Sequence, residues 1–208
     1  MKATIRLKAA CIMLVFLHVM SAEAQDVKSL WMSMPSKMTQ YLDNDMKRTL
    51  VDGGNAQVKV KNLLGETAVL DTLTADFMQV KLNNASTLQL KTLDTDEGKR
   101  KVCVVRTYAA PEKESTATLY DTDWKSVETI NLQALTDNLL QKPDTLSETT
   151  YAELKSQLTM TLPQASLSPN NQNMKVSLSI PLTDKEQAER IKPLLMQKEL
   201  KWNGKTFK

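Results

Sequence analysis

From Leu30 to Leu50 apolar residues recur every three or four positions. Leu30, Met34, Met38, Tyr41, Leu42, Met46 and Leu50 form the stripe of an amphipathic helix over 25–51. Pro35 cannot donate an interior helix bond and divides the run into two pieces. Ser36 or Thr39 is expected to cap the second piece, and Gly53-Gly54 to end it. Beyond the glycines the period drops to two. Val58 and Val60 alternate with Lys59 and Lys61, and after Leu64-Gly65-Glu66 residues 67–73 make another apolar stretch. Met78, Val80 and Leu82 alternate with Gln79 and Lys81; after a turn at 83–86, Leu88 and Leu90 alternate with Gln89 and Lys91. This predicts a hairpin with one dry face and one wet face. Residues 94–99 supply the next turn. Val102-Cys103-Val104-Val105 is apolar on both faces, as in a central strand covered from both sides. A turn at 110–114 then leads to a returning strand at 116–121.

Ile130, Leu132, Leu135, Leu139 and Leu140 suggest a short helix, and the polar stretch around Pro143 reads as a linker. A second unit follows. Leu158, Met160 and Leu162 share one face, a polar turn spans 168–173, and Met174, Val176, Leu178 and Ile180 alternate strictly. Thr183-Asp184-Lys185-Glu186 is a capping box opening a helix that Pro193 ends or kinks. Leu200 and Trp202 precede Asn203-Gly204, a hairpin signal. The expected fold is α+β: mostly antiparallel sheet, with an N-terminal and a C-terminal helix packed on it. Residues 25–208 form one domain, or two sub-units (25–142 and 151–208) joined by the polar linker.

The first 24 residues follow a different rule. Lys2, Arg6 and Lys8 make a positive n-region, residues 9–20 an apolar run broken only by His18, and Ser21-Ala22-Glu23-Ala24 a small-residue cleavage site. Twelve residues at ~1.5 Å each reach roughly 18 Å, short of the ~30 Å hydrocarbon core, so a signal peptide fits better than a stable membrane span. Cys11 lies inside the run rather than after it, unlike a lipoprotein cysteine. Export to the periplasm, cell surface or medium is therefore expected, with the working protein starting at Gln25.

Removing 1–24 changes the chemistry. Three of the 27 basic residues and one of the 24 acidic ones go with it, leaving 24 against 23, a net +1 over 184 residues. No field remains to recruit nucleic acid. The single histidine, His18, is lost, and with it Ser-His-Asp or Cys-His catalysis and the commonest zinc ligand. Cys103 remains without a disulfide partner, and its flanks predict burial.

Tyr120-Asp121-Thr122-Asp123-Trp124 is the most conspicuous cluster. Two carboxylates beside aromatic rings could grip a sugar or a cation; equally, Tyr120 and Trp124 could fill the core while Asp121 and Asp123 shape a turn. Asp94-Thr95-Asp96-Glu97-Gly98 resembles the start of a calcium loop. An EF-hand requires Gly and Glu where Lys99 and Val105 stand, so a hairpin turn fits better. Met32, Met34, Met38 and Met46 could offer thioethers to Cu(I), but at helical spacing they read as core, and no metal or other cofactor is expected.

Several short motifs together resemble a family of exported proteins of unknown function from Bacteroidetes-type bacteria. They are the leader, Met34-Pro35 with a helix ending in Leu50-Val51-Asp52, Val104-Val105-Arg106-Thr107, Tyr120 to Trp124, Leu167-Ser168-Pro169 and Trp202-Asn203-Gly204. The resemblance implies a Gram-negative envelope location and brings no catalytic residues. The expected function is a non-enzymatic envelope protein that binds another envelope protein or a glycan, through its sheet or the groove between sheet and helix. The alternative is a carboxylate hydrolase acting on glycans, with Asp121 or Asp123 paired to a distant acid.

Overall fold

The structure is a computed structural model that describes residues 26–54, 57–109, 112–136, 139–158, 160–181 and 184–208. Residues 1–25, with Cys11 and His18, lie outside the described residues. Seven strands run in chain order across one antiparallel sheet: β1 (Lys59–Lys61), β2 (Thr67–Leu73), β3 (Phe77–Lys81), β4 (Ser86–Asp94), β5 (Arg100–Ala109), β6 (Lys113–Tyr120) and β7 (Ser126–Ile130). A second, three-stranded antiparallel sheet is ordered β10 (Lys198–Leu200), β9 (Met174–Ser179), β8 (Leu162–Leu167). Four α-helices accompany the sheets among the described residues: α1 (Val27–Ser33), α2 (Asn44–Asp52), α3 (Glu148–Ser156) and α4 (Lys185–Ile191).

Strand alternation distributes the apolar residues to the two faces of the large sheet. Val102 and Val104 point up, with Leu88, Leu90, Met78 and Val80, into a core closed by Leu30, Trp31, Leu50 and Val51 of α1 and α2. Cys103 and Val105 point down, with Ala117 and Leu119, against Ala165, Leu167, Met174 and Val176 of the small sheet. Residues 102–105 are thus covered on both sides, as their sequence requires. Desolvation in the lower core pushes the Cys103 thiol far above its ordinary range. A thiol reagent should therefore label Cys103 slowly in native protein and fully in denaturant. Cys103→Ala should cost about 1–2 kcal/mol through a small cavity. Rapid native labelling would contradict this placement.

The N-terminal helical run does break at Pro35, but its second piece starts later than expected. Asp43, not Ser36 or Thr39, caps α2, its carboxylate accepting from the Met46 N–H at 2.8 Å. Ser36–Met38 form one 3₁₀ turn, and Tyr41 leaves the apolar stripe in a left-handed conformation (φ 68°), exposed. Lys47 of α2 is buried. Its amine donates to the Met32 and Met34 carbonyls at 3.1 and 2.9 Å, capping the end of α1, and burial holds its pKa below the ordinary value.

Further expectations are corrected. The β3–β4 hairpin has no fully wet face, because the small sheet covers Gln89 and Lys91. Leu167 donates its backbone N–H to the Gln89 amide oxygen at 2.9 Å, which satisfies a donor on the outer edge of β8. Residues 126–130 form edge strand β7, and Leu132–Leu135 turn as 3₁₀ rather than as an α-helix. The polar stretch around Pro143 leads into α3, capped by Ser147, and β8 begins at Leu162 rather than near Leu158. The C-terminal helix starts from Asp184 and gives way to a 3₁₀ turn at Pro193. It packs through Ile191 with Leu194 against Leu154 of α3, rather than on the large sheet.

Candidate ligand groove at the open end of the sheet

α1 and α2 seal the upper face of the large sheet only in part. On β5 the upward positions 102 and 104 are valines; the next two are Arg106 and Tyr108. Across from them on β6 stand Tyr120 opposite Val102, Thr118 opposite Val104 and Thr116 opposite Arg106. The switch from apolar to polar along one strand face marks where the helical cover stops. The chain segment between α1 and α2 contributes Lys37, Met38 and Gln40 as a wall. The result is a groove of about 190 Å³ floored by two strands.

Arg106 organises it. The guanidinium is half-buried, donates through Nη2 to the Met38 carbonyl, and lies 6.0 Å from the centre of the Tyr108 ring. Tyr108 is 48% exposed. At the other end Tyr120 meets Trp124, with ring centroids 5.8 Å apart at 58°. The Trp124 indole N–H donates to Ser33 Oγ at 3.0 Å, tying this corner to α1. Tyr41 and Trp124 are the non-glycine residues with positive φ among those described, at 68° and 64°; Tyr41 follows Gln40 of the wall, and Trp124 packs on Tyr120. Held strain of this kind is commonly found at functional sites.

The four residues singled out in the sequence separate here. Tyr120 enters the groove and Trp124 supports it from behind. Asp121 instead closes the β6–β7 turn, its Oδ1 accepting from the N–H groups of Asp123 and Lys125 at 3.0 and 2.8 Å. Asp123 is exposed on that turn. Asp121 also borders a separate cleft of about 210 Å³ with Asp96, Glu97, Lys99, Arg100, Lys101 and Lys205. Asp96 and Glu97 there are solvent-exposed. Gly204 adopts φ 87° against the Asp96 carboxylate, where a Cβ would lie 2.0 Å from Oδ1. The calcium-like run is a hairpin turn, with Asp94 engaged by Gln172 Nε2 at 2.7 Å and by Arg100.

With this geometry in view, the comparisons with known proteins bear on the chain. A family model described as "Protein of unknown function (DUF3256)" matches residues 19–207. The chain belongs to this DUF3256 family. No curated protein matches it. The solved structure of a domain of an uncharacterized protein from Porphyromonas gingivalis W83, a Bacteroidetes member, is similar at TM-score 0.65 and 16% identity, over 88% of this chain and 96% of that one. At that identity the likeness shows a shared fold alone.

The resemblance to a family of unknown function therefore stands, and its motif Val104-Val105-Arg106-Thr107 falls on the groove floor. Arg106, Tyr108 and Lys37 were not singled out in the sequence as site residues. The signal that could have found them is the interruption of the apolar face of β5 after Val104.

Proposed function

We propose that this DUF3256 protein is an exported, non-enzymatic envelope protein that binds a glycan, free or carried by a partner, in the groove between its helical layer and the open end of its sheet. One observation carries the reading: the groove offers two cations, two tyrosine rings, an amide and two threonine hydroxyls, and its lining contains no carboxylate, imidazole or thiol. Those groups bind polyols and stack on sugar faces; they lack the paired acids of glycoside hydrolysis. At about 190 Å³ the groove is smaller than the ~300–1,000 Å³ pockets that enclose a drug-sized ligand, which suits gripping one unit of a longer chain. Loss of glycan binding in Tyr108→Ala, with the fold intact by circular dichroism, is the expected result.

Export rests on the leader: three basic residues, an apolar run over 9–20, and alanines at 22 and 24. Among the described residues no helix is long and apolar enough to cross a membrane. Mass mapping of protein purified from its host should find Gln25 as the first residue, free or as pyroglutamate. Recovery of intact Met1 would overturn export and return His18 to the working chain.

A further inference from the structure

We infer that the groove is selective for an acidic saccharide, whose carboxylate is taken by Arg106 and Lys37 while its ring lies against Tyr108. The inference rests on the binding reading above and adds the charge of the ligand. Among the described residues no carboxylate lies within ion-pairing distance of Arg106 or Lys37. Glu114, opposite Tyr108 on β6, stands outside the groove lining and makes no ion pair with Arg106. A half-buried cation without a counter-ion stays attractive to an anion, because partial desolvation leaves that attraction less screened.

The contacts of Arg106 leave that attraction usable. Its bond to the Met38 carbonyl occupies one Nη2 donor out of the five N–H groups of a guanidinium and fixes the orientation of the plane. The remaining edge can meet a carboxylate in a bidentate pair, which a point charge cannot do. Lys37, exposed on the wall, adds a second positive charge of adjustable reach. Tyr108, placed beside the guanidinium, offers its face to the C–H side of a ring. A lone carboxylate would need the cations only, and a neutral sugar the tyrosines only; the two together fit a uronic-acid unit.

The test uses full-length mature protein and fluorescent oligosaccharides of galacturonate, glucuronate and alginate type, each in acid and in fully methyl-esterified form. The esters keep the ring and remove the charge. At low salt an acidic form should bind at least ~10-fold more tightly than its ester, in line with a charge-assisted bond of ~1.5–3 kcal/mol, and weaken as ionic strength rises. Arg106→Gln removes the charge while keeping a polar side chain and should lose this preference. Lys37→Glu, at an exposed position, should weaken the acidic forms similarly with the fold unchanged. Equal binding of acids and esters, both abolished by Tyr108→Ala, would overturn acid selectivity while leaving the groove as a sugar site. Failure of every acidic oligosaccharide to bind would overturn the inference, and if the esters also fail the binding reading falls with it.

Discussion

Replacing Lys91 by alanine is expected to lower stability by about 3 kcal/mol, a fall in melting temperature of roughly 6–12 °C for a chain of this length. Lys91 is 1% exposed between the two sheets. Its amine lies 2.8 Å from Asp76 Oδ2, donates to the Pro169 carbonyl at 3.2 Å, and sits 5.9 Å from the centre of the Phe77 ring. It thus links β4 to the β8–β9 loop of the small sheet. Alanine removes the charged donor, leaves the Pro169 carbonyl without it, and empties the space of the aliphatic stem. Lys91→Met should cost less, because its stem refills that space. The pair also sets an acid limb. Burial pushes the Asp76 carboxyl up, but hydrogen bonds from Lys91 and Thr74, together with the Lys91 charge, bring it below its ordinary 3.8. A carboxyl lowered on folding contributes stability that is present above 3.8 and is lost as the pH falls through the folded value. In Lys91→Ala that part of the acid sensitivity should shrink. Thermal melts at neutral pH and at pH 3 measure both effects; a loss under ~1 kcal/mol would show that water already serves these groups.

Trp31→Ala should be at least as severe, at about 3–5 kcal/mol. Trp31 is fully buried and is the largest side chain in the core between helices and sheet. Its indole N–H donates to the Lys47 carbonyl at 3.0 Å, and the Lys47 amine lies 5.6 Å from its ring centre. Truncation removes the packing of α1 on α2 and leaves the buried Lys47 carbonyl without its donor. It also withdraws the ring beside an already disfavoured buried ammonium. Because Ser33, the partner of Trp124, is the last residue of α1, the groove corner should loosen together with the helix. Chemical denaturation checks the magnitude; a cost near 1 kcal/mol would mean that the helical layer does not depend on this ring.

The elements legible in the sequence are those whose burial follows from their own alternation. Residues 58–61, 78–82 and 174–178 each present apolar side chains on a consistent face and 102–105 on both, so β1, β3, β9 and β5 could be read locally. Gln89 and Lys91 could not, because what buries them lies far along the chain: Ser166 and Pro169, 77 and 78 residues away. Their polarity correctly signals hydrogen bonding but does not say whether the partner is water or protein. Near Ile130 and Leu132 the spacing imitates a helix, whereas β7 is exposed at every position except half-buried Ile130 and carries little apolar pattern of its own. α3 buries only Leu154, too little for a stripe. At the groove, aromatic clustering made Tyr120 and Trp124 visible. Arg106 stayed hidden because its partner Met38 is 68 residues distant.

The groove itself is tested most directly by nuclear magnetic resonance. Uniformly ¹⁵N-labelled mature protein would be titrated with acidic oligosaccharide and its amide shifts followed residue by residue. Shifts should concentrate at Met38, Gln40, Arg106, Tyr108, Thr118 and Tyr120, saturate, and vanish in a folded Tyr108→Ala variant. Saturable shifts confined instead to the cleft of Asp96 and Asp121, unchanged by Tyr108→Ala, would contradict the account and place the working surface at the opposite turn.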